Sequence, residues 1–583
     1  MVRMTRFDLG QLYARRGLPL MVGAVAFGMI FTSAPPPTPQ MALADTSSSP
    51  PSASAPVPVD SPAPEAEPAP VEDIVLQLSA PRRETSGSGV GPEAGASPPA
   101  PDGRSRRPVP VPPARGRPAP PEPECVVPPV SDVPGFDSPF LGHTGSIDGR
   151  GGTADSDNRV PEMDAEVAMG LQWTFGPIYW SAFEPDGPTT PDDDSSGAWA
   201  NYDQFVRDAR ERGLNILAQG PDVGGNAGGP PEWAGSRAEG TSAPADMDAL
   251  IDFAGKLVER YRPCGTLAQE EGWTDGYGIR VWEIDNEPDS YLTNWREVAD
   301  DYAEFVVRVS QRIKSIDPTA LVAGPAIASP TGEDQQHFLH AILDKGVQAA
   351  SDAYIEAGIE YAVGPHVDIV TFHNYEFHDS ILCMCDNTIV PEHEAIRDTW
   401  MAYADQPGFE FDAGALTFWH TEGGYDFALD EPAGFGRREF WFIQWFTRAF
   451  TSGVQRVTVQ DQHRSPASQA AVRTMLTLLP DPHPMEDVTE DLGYDRESAH
   501  IHRVERASDG GWTYIAYAEN QTAGTTVELP VRGPAALVTT TGDVTPLDVV
   551  DGMVVVDLPG LTLFSEPYFV VELTPDAPVE RQG

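Results

Sequence analysis

The hydrophobic positions of this chain follow two different spacings in its central part. Across residues 125–483, short apolar runs alternate with longer stretches in which apolar residues recur every three or four positions. The short runs are typical of buried strands, and the longer stretches are typical of amphipathic helices. Their alternation predicts βα units and a parallel sheet.

Eight strand–helix units fit into this part of the chain. We expect strands at 140–145, 168–175, 214–219, 279–284, 321–324, 367–373, 416–422 and 454–460. Helical spacing at 202–212, 246–261, 295–316, 335–357, 438–452 and 468–479 supplies crossover connections. Eight such units over roughly 360 residues suit a (β/α)8 TIM barrel with enlarged loops.

A different pattern begins after residue 483. Short runs rich in β-branched residues, separated by Gly, Asp and Pro, occur at 498–503, 512–517, 525–530, 536–540, 553–558 and 568–573. This spacing predicts an all-β sandwich. The expected fold class is therefore α/β, with a (β/α)8 barrel at 125–483 and a C-terminal β-sandwich domain at 484–583.

The first 44 residues have the pattern of a secretory signal peptide. Four arginines precede an apolar run at 18–31, and Ala42-Leu43-Ala44 provides a cleavage site. The apolar run is short for a membrane span, although an uncleaved anchor stays open as an alternative. We expect a protein that is secreted or held in the cell envelope.

Residues 45–124 separate this signal from the folded part. In that segment 21 of the 80 positions are proline, interleaved with Ser, Ala, Gly and Glu. Such a composition buries too little apolar surface to offset the entropy lost on ordering. It predicts a disordered, extended spacer.

The composition is strongly acidic, with 88 Asp and Glu against 38 Lys and Arg and a formal net charge of -50. Most of the excess negative charge lies after residue 124, so it belongs to the folded part of the chain. An acidic surface repels phosphate, which argues against nucleic acid as a partner.

Two of the predicted strands lead into a glutamate. Residues 281–289 read Val-Trp-Glu-Ile-Asp-Asn-Glu-Pro-Asp, and Pro288 forbids further strand pairing just after Glu287. The strand at 416–422 ends in Glu422, before two glycines. Two carboxyl groups are what glycoside hydrolysis needs, one to protonate the leaving oxygen and one to act at the anomeric carbon. The alternative is that each glutamate lies in a loop by chance.

These stretches resemble the clan A retaining glycoside hydrolases. Residues 282–288, Trp-Glu-Ile-Asp-Asn-Glu-Pro, resemble the motif that ends strand four of that clan, and residues 420–423, His-Thr-Glu-Gly, resemble its nucleophile strand. Residues 372–375, Phe-His-Asn-Tyr, are similar to the His-x-Tyr of its sixth strand. Residues 180–202 are similar to a run after strand two in family 39-like and cellulase-like (family 5-like) members. The resemblance covers roughly residues 135–480.

The resemblance implies a role for each of these side chains. Glu287 would be the general acid/base and Glu422 the nucleophile of a double displacement. Asn286 would bind the sugar 2-hydroxyl, Tyr375 would bond Glu422, and His373 would shape the glycone subsite. The resemblance implies no cofactor and no metal. Asp285 departs from it, because many relatives carry Trp at that position.

Two tryptophans on predicted βα loops are candidates for stacking on a sugar ring. Trp180 follows the second strand and Trp233 follows the third. The alternative for each is packing between helices and sheet, where most aromatic side chains of a barrel lie.

Four cysteines, Cys125, Cys264, Cys383 and Cys385, can form disulfides in an exported protein, with three possible pairings. The first choice is Cys125 with Cys264, which leaves a bridge within Cys383-Met-Cys385. A metal site at that segment, with His373 and His378, is the alternative. It is less favoured because the chain has no second cysteine pair with suitable spacing.

The sequence therefore predicts an exported retaining β-glycoside hydrolase whose partner is a polysaccharide or oligosaccharide. One alternative is a non-catalytic polysaccharide-binding barrel protein at the cell surface. Another is a surface scaffold in which the spacer and the sandwich carry the function. The sequence does not indicate which sugar is cut, nor whether cleavage is internal or terminal.

Overall fold

A computed structural model describes residues 125–143, 156–194, 196–224, 229–237, 241–290, 295, 298–328, 330, 331, 339, 343, 366–376, 389–404, 416–425, 438–460, 465–519, 522–560 and 564–573. The predicted signal at 1–44 and spacer at 45–124 lie outside these residues. So do Cys383, Cys385 and nearly all of the helix expected at 335–357.

Eight parallel strands form one sheet in the first part of the chain: β1 (Phe140–His143), β2 (Trp173–Tyr179), β3 (Asn215–Asp222), β4 (Val281–Glu283), β5 (Leu321–Ile327), β6 (Ile369–Glu376), β7 (Thr417–Tyr425) and β8 (Arg456–Gln460). Their hydrogen-bonded order is β1-β8-β7-β6-β5-β4-β3-β2. The two end strands meet at the remaining seam, where a side chain on Gly142 would overlap the carbonyl oxygen of Trp173. The predicted (β/α)8 barrel is confirmed.

Helices cover the outside of the barrel: α1 (Ser156–Met169), α2 (Trp180–Phe183), α3 (Ala198–Glu211), α4 (Met247–Tyr261), α5 (Thr266–Glu270), α6 (Ala299–Ile316), α7 (Ile389–Ala404), α8 (Arg438–Ser452) and α9 (Pro466–Leu478). In α4 the apolar residues Leu250, Phe253 and Leu257 are buried. Asp246 caps this helix by accepting a hydrogen bond from the Ala249 N–H at 3.1 Å. The helical spacing in the sequence therefore marks the face that packs on the sheet.

The second strand begins later than the sequence predicts. A strand was expected at 168–175, but Ala168 and Met169 end α1, and β2 starts at Trp173. Gly170 follows the helix with φ +90, a conformation that glycine adopts without steric cost. Because apolar residues continue across this turn, the helix end and the strand look like one run in the sequence.

The amino end of the barrel, where the parallel strands begin, is covered by the segment before β1. Phe136 of this segment packs on Trp173, with ring centroids 4.9 Å apart. A disulfide between Cys125 and Cys264 ties the segment to the loop that follows α4. This bridge confirms the predicted pairing of Cys125 with Cys264, while the bridge expected within Cys383-Met-Cys385 stays a prediction. The bridge between Cys125 and Cys264 fixes the cover of the barrel to its helical layer.

The C-terminal part contains eight further strands: β9 (Met485–Asp487), β10 (Ala499–Glu505), β11 (Trp512–Ala518), β12 (Gly524–Pro530), β13 (Ala535–Val538), β14 (Val544–Leu547), β15 (Met553–Pro559) and β16 (Tyr568–Glu572). Six form an antiparallel sheet in the order β14-β13-β16-β11-β10-β9, and β12 pairs with β15. Ile501, Tyr514, Val527 and Val556 pack between the two sheets. The predicted sandwich is present, with β9 and β14 as strands that the sequence did not indicate. The limits 125–483 and 484–583 stay predictions.

The six-stranded sheet uses its other face to pack on the barrel. Ile515 and Phe569 of the sheet share a core with Phe442 and Phe446 of α8. At the edge of this contact, Nε of Arg448 donates to the hydroxyl of Tyr517 at 3.1 Å. The sandwich is therefore joined to the barrel through an apolar interface. Among the residues described here, we find no helix that combines the length and the apolar character needed to span a membrane.

Candidate active site

The carboxyl end of the barrel, where the parallel strands end, brings Glu287, Glu422 and His373 together. Glu287 lies in the turn that follows β4, and Glu422 lies near the end of β7. His373 lies on the neighbouring β6, where the sheet register pairs it with Glu422. Barrel enzymes hold their catalytic groups at these strand ends, so the sequence-based placement and the fold agree.

The three side chains are close enough to interact directly. Nδ1 of His373 lies 3.1 Å from Oε1 of Glu287 and 3.9 Å from Oε2 of Glu422. This nitrogen and one carboxylate oxygen from each glutamate all lie within 4.8 Å of one another. The side chains of Glu287 and Glu422 are 16% and 19% exposed, while His373 is fully buried. The site therefore offers two carboxyl groups to solvent beside one buried imidazole.

The backbone around Glu287 has an uncommon conformation. Asp285 has φ 62 and Glu287 has φ 44, in the left-handed region that residues other than glycine rarely adopt. Such strain costs on the order of 1–3 kcal/mol per residue and is concentrated at functional sites. On the facing strand, Gly423 has φ +156, and a side chain there would overlap the carbonyl oxygen of Asn374. Glycine at this position therefore lets β6 and β7 approach closely beside Glu422.

The pKa of His373 reflects its position between negative charges. Burial alone would lower this pKa, but the charge of Glu422, the hydrogen bond and charge of Glu287, and the charge of Glu283 raise it to about 9. Near neutral pH the imidazole therefore carries a proton on both nitrogens. Its Nδ1–H donates to Glu287, and its positive charge offsets part of the negative charge of the site.

Polar side chains connect β3, β4 and β7 inside the barrel. Nε2 of Gln219 donates to Oε2 of Glu283 at 3.0 Å and to Oδ1 of Asn286 at 3.0 Å. The hydroxyl of Thr421 donates to Oε1 of Glu283 at 2.7 Å. Glu283 is fully buried, and Asn286 is half-buried beside Glu287. The two strands that carry Glu287 and Glu422 are therefore linked through one buried carboxyl group.

Three further carboxyl groups lie next to this site. Burial is the main cause that raises the pKa of Asp285 to about 6, of Asp289 to about 7, and of Asp222 well above its usual range. Neighbouring negative charge adds to the shift, from Asp285 in the case of Asp222 and from Glu287 in the case of Asp289. Because raised pKa values keep some of these groups protonated near neutral pH, several acids can lie close together here.

The structure corrects the expectation for Trp180. This side chain is fully buried, and its indole N–H donates to Oε2 of Glu184 at 2.8 Å. Its ring stacks on Phe253 of α4, with centroids 6.3 Å apart. Trp180 therefore packs between helices and sheet and offers no face to a sugar. Its position after β2 did not distinguish the two roles, because a barrel loop can fold back onto the helical layer.

Trp233 keeps part of its surface exposed. It packs edge-on against Trp180, and its indole N–H donates to the carbonyl oxygen of Glu184 at 2.6 Å. A partly exposed ring on the loop after β3 remains available for stacking, so this assignment stays a prediction. Tyr375 lies on β6, paired in register with Gly424 of β7, and its predicted bond to Glu422 also stays a prediction.

Glu287, His373 and Glu422 are also the side chains that could hold a metal ion. They form the one group of at least three His, Cys, Asp or Glu side chains with suitable spacing among the described residues. A metal bound there would have to displace the proton on Nδ1 of His373 and would occupy the space between the two carboxyl groups. Our expectation that the site works without a metal stays a prediction.

Sequence reasoning missed Gln219, Glu283 and Thr421 as parts of this site. A signal was present, because Gln219 and Glu283 are polar side chains within otherwise apolar strands, where an unpaired polar group is costly. That signal indicates a hydrogen-bond partner without identifying it. Thr421 gave no comparable signal, since threonine is common in strands.

Solved structures with a similar chain course have low sequence identity to this protein. A family 39 glycoside hydrolase from the gut symbiont Bacteroides cellulosilyticus WH2 is 16% identical, covering 75% of this chain and 81% of that chain, with a TM-score of 0.49. AbfB, a family 51 α-L-arabinofuranosidase from Bifidobacterium longum, is 13% identical, covering 77% and 98%, with a TM-score of 0.47. The catalytic domain of GH30 xylanase C from Talaromyces cellulolyticus is 13% identical, covering 74% and 96%, with a TM-score of 0.43.

No family model and no curated protein matches the sequence. The assignment of roles to residues of this chain therefore depends on the geometry of the site described above.

Proposed function

We propose that this chain is a retaining glycoside hydrolase that cleaves a β-linked polysaccharide or oligosaccharide. The observation that carries the proposal is the pair Glu287 and Glu422, because one carboxyl oxygen of each lies within 4.8 Å of the other. Retaining glycosidases hold their carboxyl groups about 5–5.5 Å apart, whereas inverting enzymes need about 6.5–9.5 Å to admit a water molecule. The short separation supports a covalent, retaining mechanism.

The reaction then takes two steps. In the first step Glu287 gives its proton to the glycosidic oxygen, the bond from that oxygen to the anomeric carbon breaks, and the Glu422 carboxylate forms an ester with the anomeric carbon. In the second step Glu287, now ionised, takes a proton from water while the water oxygen attacks the anomeric carbon. Glu422 leaves as a carboxylate, and the sugar is released with its original anomeric configuration.

The neighbouring side chains support this division of labour. The positive charge of His373 favours an ionised Glu422, as a nucleophile requires. Its N–H donates to Oε1 of Glu287, which leaves the other oxygen of that carboxyl group to carry the transferable proton. We assign Asn286 to the sugar 2-hydroxyl and Tyr375 to Glu422, and Trp233 remains a candidate platform for a sugar ring.

We also propose that the protein acts outside the cytoplasm. Arginines followed by an apolar run and an Ala-x-Ala site in residues 1–44 support export. The mass of the mature protein, isolated from the host's extracellular or envelope fraction, tests this. A chain that starts after Ala44 is expected, and a full-length chain in the cytoplasmic fraction would contradict export.

The alternative function is a barrel that binds polysaccharide without cutting it. The observation that keeps it open is the acidic surroundings of the site, because catalysis requires Glu287 to be protonated while Glu422 is ionised. The same experiment separates the two functions.

The test is release of reducing sugar from a panel of β-linked polysaccharides and aryl glycosides. We expect turnover by the wild type and a loss of roughly three orders of magnitude or more in Glu422→Gln. Glu287→Gln should lose as much on polysaccharides but keep forming the glycosyl ester with aryl glycosides whose leaving group needs no proton. Glu519→Gln is the matched control, since Glu519 also pairs with a histidine, His500, but lies in the sandwich.

The outcomes are distinct. Unchanged turnover in Glu422→Gln would show that another group is the nucleophile. A wild type that binds a polysaccharide of the panel and releases no sugar from any substrate would favour the binding protein. A loss in Glu519→Gln as large as in Glu422→Gln would mean that the substitutions disturb folding.

A further inference from the structure

Two buried side chains take no part in the chemistry proposed above, although they contact residues that do. Glu283 is fully buried at the end of β4, and Gln219 is 2% exposed near the end of β3. Leaving such groups unpaired inside a protein is costly, so their hydrogen bonds are strongly constrained. These bonds lead to Asn286 on one side and to Thr421, the residue before Glu422, on the other.

The chemistry of the groups fixes the direction of these hydrogen bonds. Both oxygens of Glu283 accept hydrogen bonds, Oε1 from the Thr421 hydroxyl and Oε2 from Nε2 of Gln219, so Gln219 turns its NH2 group, and not its oxygen, toward Glu283. The same NH2 group faces Asn286 at 3.0 Å. Two NH2 groups cannot hydrogen-bond to each other through their hydrogens, so Asn286 must present its oxygen to Gln219. Its own NH2 group is then directed away from Gln219.

We propose that Glu283 and Gln219 are positioning residues that hold Asn286 with its NH2 group toward the substrate. The proposal rests on the function proposed above and adds the reason why Asn286 acts as a hydrogen-bond donor at the reacting centre. Without Gln219, the Asn286 amide could turn over and present its oxygen to a substrate hydroxyl instead. Substrate contact through an oriented donor is worth most in the transition state, because the donor then needs no reorganisation.

The other oxygen of Glu283 extends the same arrangement to the nucleophile strand. Thr421 donates to it at 2.7 Å, directly before Glu422. Burial raises the pKa of Glu283, while the charge of His373 and the hydrogen bonds from Thr421, Thr371 and Gln219 oppose this rise. These hydrogen bonds favour the ionised form, which is the form that fixes the orientation of Gln219.

The test is a double-mutant cycle with Gln219→Met and Asn286→Ala, measured on the best substrate of the panel. Methionine keeps the size of glutamine and removes the amide. We expect Gln219→Met to lower kcat about tenfold with little change in KM, because the lost contact forms at the reacting centre. Added to Asn286→Ala, the same substitution should have no further effect, because its effect passes through Asn286.

Gln444→Met is the matched control. Gln444 is also a buried glutamine with a hydrogen bond, to the carbonyl oxygen of Ser565 at 2.7 Å, but it lies in α8 at the sandwich interface. It should lower the melting temperature without changing kcat. Equal and additive losses of kcat for Gln219→Met and Asn286→Ala would overturn the proposal, and so would an equal loss in Gln444→Met.

Two further measurements test the proposal if Gln219→Met does not fold or if no turnover is found. If Gln219→Met does not fold, Glu283→Met keeps a similar size, removes both carboxyl oxygens that accept hydrogen bonds, including the one that orients Gln219, and should lower kcat without changing KM. Neutron crystal structures of the wild type and the variant, which locate the amide hydrogens, test the orientation without any turnover. We expect one Asn286 rotamer in the wild type and a reoriented or divided amide in the variant. An Asn286 amide with the same orientation in the wild type and the variant would overturn the proposal. A wild type without turnover would contradict only the proposed function.

Discussion

The two ends of the barrel differ in the buried ionisable groups that they contain and in the side chains that surround them. At the amino end, the guanidinium of Arg456 lies 4.1 Å from the ring centroid of Trp419, 4.9 Å from that of Trp173 and 5.1 Å from that of Phe136. Burial lowers the pKa of Arg456 to about 9. This cation is surrounded by aromatic faces, to which it is electrostatically attracted.

At the carboxyl end, by contrast, acidic groups lie close to one another. Glu283 and Asp289 are buried beside Glu287 and Glu422, and His373 is the cation that lies among them in the described part of the chain. The backbone at Glu287 is in the left-handed region, while the amino end packs apolar side chains from neighbouring strands.

This difference shows that the energetically unfavourable features, strained backbone and closely spaced acidic groups, lie at the carboxyl end of the barrel. The amino end is organised for packing, so changes there should alter stability and leave the chemistry intact. The carboxyl end holds strained backbone and like charges that a stable core does not need, and such features occur at functional sites. The following experiments test whether the two ends can be separated in this way.

The largest expected effect is on stability and comes from Trp173→Ala at the amino end. Trp173 is buried, packs on Phe136 and Trp419, and donates to the carbonyl oxygen of Gly135 at 3.1 Å. Removing a buried tryptophan should lower the free energy of unfolding by about 3–5 kcal/mol. Turnover per folded molecule should not change, as measured below the melting transition.

Trp512→Ala is the control for this prediction. Trp512 also has arginine on its faces, with Arg532 at 4.0 Å, but it lies half-buried in the sandwich. We expect a smaller loss of stability there. A fall in kcat for Trp173→Ala would show that the amino end is not independent of the chemistry.

A pH-dependent stability of about 3 kcal/mol is expected at the carboxyl end. The folded structure raises the pKa of His373 from 6.5 to about 9, so its contribution is fully present below pH 6.5 and is lost as the pH rises through 9. Unfolding by denaturant at about pH 6 and about pH 9.5 measures it. The wild type should lose more stability than His373→Gln over this interval, and parallel losses would contradict the assigned charge.

The smallest expected change in the free energy of unfolding comes from removing a single hydrogen bond, one at each end of the barrel. The hydroxyl of Tyr277 donates to the carbonyl oxygen of Leu214 at 2.8 Å near the amino end, and Thr421 donates to Glu283 at the carboxyl end. Tyr277→Phe and Thr421→Val should each lower the free energy of unfolding by about 1 kcal/mol. Only Thr421→Val should also lower kcat. Equal effects on kcat would remove the distinction between the two ends.

Much of the fold could be predicted because its signals are local. All eight predicted barrel strands are present, and they could be predicted because each contains an apolar run. Helix α8 begins and ends at the residues that its spacing predicted. The predicted start of β2 was wrong because apolar residues continue from α1 across Gly170, so the end of the helix looked like the beginning of the strand. Two short sandwich strands, β9 and β14, were missed because their sequences, Met-Glu-Asp and Val-Thr-Pro-Leu, contain no sustained run of apolar or β-branched residues.

The site could be predicted only where its residues lie at strand ends. Glu287, Glu422 and His373 occupy such positions, and the fold brings them together. Trp180 occupies one too, yet its ring points into the helical layer and is fully buried. A position along the chain indicates the end of the barrel that a side chain reaches, but its rotamer depends on neighbours far away in the sequence.

The sequence by itself determined the order of strands and helices, the acidity of the folded part, and the two glutamates that follow β4 and lie in β7. These features depend on residues that are close together along the chain. The tertiary structure alone decided how far apart the two carboxyl groups are and which imidazole lies beside them. It also decided that Gln219 and Glu283 connect Asn286, which is next to Glu287, with Thr421, which is next to Glu422. Distances across a closed barrel depend on the register of strands that are far apart in sequence, and no local pattern contains that register.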